Sequence, residues 1–224
     1  MNKNLIKSLV ATALLSAGVA SAATITNGSF ETGDFSGWIA QDLPMPFSPL
    51  TVTGSGANTF GWSWSSTPTD GSYTAFSGFD GSGPGTISIA QNIGIVGDSS
   101  TLTFDYRAAW NLRDFCSGCS GRQFNVDVFS AVSSTLLGSF NFISAAPGSY
   151  QDDTGALTGS VDMSAFSGQD VRISFDLVVP DSFSGPAQFQ LDNVALSNNV
   201  PEPFSLALFG IGAVGFGMAR RRKQ

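Results

Sequence analysis

The sequence predicts an all-β chain, a jelly-roll β-sandwich, flanked by an N-terminal signal peptide and a C-terminal single transmembrane helix. Three observations carry this. Short runs of apolar and polar residues alternate one for one between turn residues. No window from Ala23 to Asn199 shows a long helical period. The long uncharged, mainly apolar runs sit near the two ends, at Leu9–Val19 and Phe204–Ala219.

The alternating runs define the sheets. Leu102, Phe104 and Tyr106 alternate with Thr101, Thr103 and Asp105. Phe124, Val126 and Val128 alternate with Gln123, Asn125 and Asp127. Val171, Ile173, Phe175, Leu177 and Val179 face one way, with Arg172, Ser174 and Asp176 facing the other. A period of two places one face of each strand in a core and leaves the other wet. Gly81–Gly85 and Ser167–Asp170 are turn chemistry. Many short antiparallel strands in about 177 residues make a sandwich. The parity slips at Asp192-Asn193, where a β-bulge is expected. No internal repeat or interdomain linker is present, and the Pro-rich stretch Leu43–Pro49 is a loop within the domain.

The flanks are targeting segments. Lys3 and Lys7, the apolar run and Ala20-Ser21-Ala22 form a secretory signal peptide over 1–22. The body is 23–199. The remaining segment, 200–224, opens with Val200-Pro201-Glu202-Pro203, continues with the uncharged run 204–219 and ends in a basic tip at 220–223. As a helix that run is about 24 Å long, slightly short of a bilayer core. Arg220 snorkels to close the gap, and the basic tip marks the cytoplasmic side. Pro201 and Pro203 break the helix and leave Glu202 in an extended, accessible stretch.

Without those segments the body holds four arginines against sixteen acidic residues, a net charge of −12, and no lysine. That surface repels phosphate backbones, so nucleic acid is excluded as a partner. It suits solubility and, equally, divalent cations. The chain has no histidine, which removes Ser-His and Cys-His nucleophile pairs. Glu31 and Glu202 are its only glutamates, so carboxylate chemistry would fall to aspartates. Asp152-Asp153 reads as a solvated turn. The chain reads as a non-enzyme. The only two cysteines, Cys116 and Cys119, are expected to form a disulfide in an exported protein. The loop they close is small, worth about 2 kcal/mol on the loop-entropy model.

Exposed aromatics would be the means of binding a polysaccharide, by stacking on the apolar faces of sugars. Trp62, Trp64, Trp110 and Tyr73 are the candidates, with Asn58, Asp70, Asn111 and Arg113 as hydroxyl partners. The same rings also serve as core filling, and Trp38 is assigned to the core.

Two resemblances follow from these residues. VPEPFSLALFGIGAVGFGMARRRK, about a tenth of the chain, resembles the C-terminal signal of PEP-CTERM proteins. That resemblance implies an exosortase as processing partner, removal of the helix, membrane contact before processing, and a bacterium that makes exopolysaccharide. The body resembles galactose-binding-like jelly rolls of the carbohydrate-binding-module type. The opening Thr26–Trp38 looks like their first strand, Val161–Phe175 like a late strand-turn-strand, and Phe189–Leu196 like their closing strand. In that fold the residues matching Glu31 and Asp192 often share one structural calcium ion, the one cofactor the resemblance implies. Alternatively, Glu31 lies exposed or bonds backbone amides. The order of functions is a non-catalytic surface or extracellular-matrix protein linked to exopolysaccharide or biofilm, then a carbohydrate-binding module, then a glycoside or ester hydrolase.

Overall fold

A computed structural model describes residues 23–44, 46–59, 62–116 and 118–197. The expected signal peptide, Pro-Glu-Pro segment, membrane helix and basic tip lie outside the described residues. Among those described, no helix is long and apolar enough to cross a membrane.

Among the described residues thirteen strands run in chain order: β1 Ile39–Gln41, β2 Thr51–Thr53, β3 Asn58–Thr59, β4 Trp62–Ser65, β5 Thr74–Ser77, β6 Gly85–Ile95, β7 Thr101–Asn111, β8 Arg122–Ser130, β9 Leu136–Ala145, β10 Tyr150–Gln151, β11 Leu157–Asp162, β12 Asp170–Val179 and β13 Ala187–Ser197. The only helical turn described is a 3₁₀ turn at Ser164–Phe166. One sheet has the order β1-β6-β12-β8-β9. The other has the order β10-β7-β13-β5-β2, with β11 also on β7, and β3-β4 forms a small hairpin. Every pairing is antiparallel. The eight principal strands give β5-β13-β7-β11 facing β6-β12-β8-β9, the jelly-roll order, in which the chain changes sheet at nearly every connection.

The core lies between the two sheets. Phe175 of β12 and Phe104 of β7 meet edge to face at 4.9 Å, and Phe124 of β8 reaches Phe189 of β13 at 6.2 Å. The alternating apolar residues of β7, β8 and β12 all point into it. Edge-to-face rings add about 0.5–1.5 kcal/mol per pair beyond the area they bury.

The opening segment departs from the expected first strand. Thr26–Trp38 is a series of turns, with backbone bonds from Phe30 to Asn27, Gly33 to Phe30 and Trp38 to Phe35. Asn27 and Phe30 adopt positive φ, 52° and 56°. Asn27-Gly28-Ser29, Thr32-Gly33-Asp34 and Ser36-Gly37 supply turn chemistry that outweighs the alternation. Trp38 is in the core as expected, its indole N–H donating to the Asn27 carbonyl at 2.9 Å.

The expected bulge is present. The β13–β7 register shifts between Asp192 and Ala195, and Asn193 takes a φ of 48°. Before the shift Gln188, Gln190 and Asp192 lie on the outer side of the sheet, and after it Val194 turns into the core.

Candidate functional site

Asp192 and Glu31 close on the same loop. Asp192 is fully buried, and its Oδ2 accepts from the Thr69 amide at 2.8 Å, the Asp70 amide at 3.1 Å and the Thr69 hydroxyl at 3.2 Å. Its Oδ1 accepts from the Asn193 amide at 2.8 Å, a bond the bulge creates. Glu31 Oε1 accepts from the amides of Ser72 at 2.8 Å and Tyr73 at 2.9 Å. Gly71 sits beneath at φ +62°, where a Cβ would lie 2.4 Å from Glu31 Cδ. Gln190 completes the clamp by exchanging bonds with the Thr67 amide and carbonyl at 2.9 and 2.6 Å. Burial pushes the Asp192 carboxyl upward, against the pull of the Asp70, Thr69 and Asn193 amides.

Calcium takes about six to eight oxygens. Amide and hydroxyl donors satisfy both oxygens of Asp192 and one oxygen of Glu31. Among the described residues no group of three or more acidic, His or Cys side chains stands in a metal-binding array. These bonds make an amide-lined clamp that ties Glu31 and Asp192 to the loop 69–73. Chelation of divalent cations is expected to leave the melting temperature unchanged. A drop of several degrees, reversed by calcium, would instead place an ion on the carboxylates.

The aromatic candidates separate. Trp64 is not an exposed platform but is 4 % exposed on the outer side of the β7-β13-β5 sheet. It stacks on Phe76 at 5.3 Å with the Arg107 guanidinium 5.3 Å from its ring centre. The β3-β4 hairpin folds over that face and buries it. Trp110 faces the core, 7 % exposed, with its indole N–H on Ser149 Oγ at 2.8 Å. Both are thereby removed as sugar platforms. Tyr73 is exposed beside the Glu31 clamp. Trp62 lies in β4, and its side chain is outside the described residues.

Arg107 is the centre that the sequence did not reveal. It donates to Asp153 through Nη2 and to the Ser65 carbonyl through Nη1 at 3.2 Å. Burial alone would raise the Asp153 carboxyl, but Arg107 and the Gly155 amide outweigh it and hold it below the usual carboxylate range. Asp153 is thus an ion-pair partner and not a solvated turn. Arg107, Asp105, Thr67, Pro68, Thr69 and Leu157 line most of a cleft of about 490 Å³, a size that accommodates a small ligand.

A second missed feature lies on the outer face of the five-stranded sheet. Gln41, Ser88, Asp176, Asn125 and Asn141 form one row across all five strands. In the next row Asp127 stands opposite Ser174 and Ser139. Asp176 accepts from Ser174 and stands diagonally across the β12–β8 register from Asp127. Burial, with the Asp127 charge, pushes Asp176 up to about 7.

Cys116 and Cys119 are joined by a disulfide, Cα atoms 5.4 Å apart, in the connection between β7 and β8.

The chain is therefore of the class of jelly-roll modules carried ahead of a sorting tail. The tail is a PEP-CTERM protein-sorting motif: residues 199–223 match that family model. The chain is thus an exported protein sorted through its C-terminal segment. No curated protein matches the sequence. Several solved structures are similar in fold. TmCBM61, determined in complex with β-1,4-galactotriose, is 14 % identical, with 80 % of this chain and all of that one covered and a TM-score of 0.46. A cyclase from Fischerella sp. TAU is 18 % identical, covering 77 % and 95 %, with a TM-score of 0.45. The K3 cleaved adhesin domain of Lys-gingipain from Porphyromonas gingivalis w83 is 16 % identical, covering 78 % and 97 %, with a TM-score of 0.47. Binding, catalytic and adhesive proteins all occur among these likenesses, so they carry no functional argument.

Proposed function

We propose that this protein is a non-catalytic module displayed at the cell surface or in the extracellular matrix, released from its membrane helix by an exosortase and working beside exopolysaccharide. The observation that carries the reading is where the body's two junctions lie. Ala23 donates to the Ile95 carbonyl at the end of β6, and Ser197 ends β13 opposite Thr101 at the start of β7. Both junctions are at one pole of the sandwich. A body held at that pole presents the opposite pole to its surroundings. The lack of histidine leaves the chain without Ser-His or Cys-His nucleophile pairs. Intact-mass spectrometry of the surface-extracted protein tests the reading: a chain trimmed at both ends supports it, and an untrimmed chain of 224 residues overturns it.

A further inference from the structure

A strand at the edge of a sheet presents a row of unpaired N–H and C=O groups, a template on which another strand can add. Among the described residues most edges of this sandwich are short or charged. β1 and β2 have three residues each, β10 has two, and β11 has six and ends in Asp162. β9 differs. It runs for 10 residues, about 33 Å, along the edge of the five-stranded sheet and pairs with β8 alone. Its sequence, Leu136–Ala145, holds neither a charge nor a proline, the two features that most often guard an edge. The uncharged stretch is wider than the strand, from Val128 to Gln151, in a body of net charge −12.

The edge is apolar where it is most open. Leu136 is 55 % exposed and Leu137 37 %, while Val132, in the turn leading into β9, is 85 % exposed. Leaving such a side chain in water forgoes about 1.5–3 kcal/mol of burial. Against β8 the register is regular from Gly138, opposite Val128, to Asn141, opposite Asn125. The register shifts on either side of that run leave Leu137 and Phe142 as bulges. Two bulges bend the strand at its ends, so a ladder added outside β9 is confined to Gly138–Asn141 and its register is fixed there. The Asp127 carboxyl stands one strand inward, where the Ser139 hydroxyl donates to it.

We propose that β9 is a self-association edge, pairing antiparallel with β9 of a second copy about a two-fold axis at Ser139 or Phe140. Three features select a second copy. Two bodies of net charge −12 repel, and an edge free of charge is where that repulsion is least. Pairing about a two-fold axis satisfies both edges at once, and with the other edges short or charged it closes at two copies and does not propagate. The same alignment lays Leu136 and Leu137 of each copy alongside residues 141–144 of the other, so the exposed leucines are covered twice over. β9 starts beside the junction pole, where the Ala131 amide donates to the Asp170 carbonyl, and ends at Ala145 opposite Arg122. The junction poles of the two copies therefore lie at opposite ends of the dimer. A contact made of one strand edge is small, so its dissociation constant is on the order of micromolar. The dimer goes beyond the display reading above and does not depend on it.

The test is sedimentation velocity of the mature protein across the micromolar to millimolar range. Wild type is expected to pass from monomer to dimer and to stop there. Ser139→Lys sets like charges near the two-fold axis, and Leu136→Lys brings an ammonium against the neighbouring strand. Each is expected to weaken the dimer by about tenfold or more. Phe183→Lys, which charges a side chain 65 % exposed in the connection 180–186, is expected to leave it unchanged. Ser139 and Leu136 are exposed, and a lysine at 139 still faces Asp127, so both edge variants are expected to keep the wild-type melting temperature, which is measured alongside. A wild type that stays monomeric throughout overturns the proposal. So does a dimer that neither edge variant weakens, one that Phe183→Lys abolishes, or assembly that continues past two copies. Sedimentation reads purified protein, so a failure of surface display shows separately in cell fractionation.

Discussion

Arg122→Met is expected to leave the protein unfolded at neutral pH or to lower its melting temperature by about 10 °C or more. Arg122 is 1 % exposed and pairs with Asp80, itself fully buried, at 2.7 Å. Removing the guanidinium strands a buried carboxylate, a change that costs about 3–5 kcal/mol. It also removes the donor for Ser184 and for the Gly185 and Ser120 carbonyls. Burial pushes the Asp80 carboxyl up to about 6, with Arg122 opposing the rise. In the variant that opposition is gone, so protonation is easier still. A carboxyl whose folded pKa is raised stabilises below its unfolded pKa and loses that contribution as pH rises through the folded one. Arg122→Met is therefore expected to recover stability as pH falls from 8 to 5. The double change D80L/R122M is expected to recover part of the loss at pH 8, because an apolar pair leaves no stranded charge. Thermal melts at both pH values check this. A single variant melting within a few degrees of wild type at pH 8 would contradict it.

The second large effect concerns Asp176. Its carboxyl, raised to about 7 chiefly by burial and further by Asp127, is opposed by the Ser174 bond and by Arg172. The sign is again that of a raised acid. Its stabilising contribution is complete below about pH 4 and disappears as pH rises through about 7. Wild type is expected to grow more stable on acidification from pH 8 toward 5, by about 1–3 kcal/mol from this site. Asp176→Asn keeps the shape and removes the second charge. It is expected to raise the melting temperature at pH 8 by several degrees and to flatten the profile between pH 5 and 8. A flat wild-type profile, or an Asn variant that melts lower at pH 8, would show that the two carboxyls do not repel.

These two effects come from features the sequence hides, and the reason is physical. Alternation is a local signal, so Leu102-Phe104-Tyr106 and Val171 through Val179 identified their strands and buried faces from a few residues. The parity slip at Asp192-Asn193 was local too. By contrast, Asp127 and Asp176 become neighbours only through the β8–β12 register. Asp153 looked like a solvated turn because its partner Arg107 comes from a distant strand. The same applies to the clamp, where Asp192 and Thr69 are 123 residues apart. The tryptophans mislead for a related reason. An aromatic two residues from another marks a shared strand face but not what covers it, and the outer side of β7 and β13 is covered by the hairpin that carries Trp64.

Everything turns on a sheet-built body leaving the cytosol and losing its apolar tail. Intact-mass spectrometry of the protein extracted from the outer surface reads that directly. The account predicts a chain beginning at Ala23 or Thr24 and ending before the run at 204–219, with any attached group appearing as added mass. An unprocessed chain of 224 residues recovered from the cytosol would contradict it.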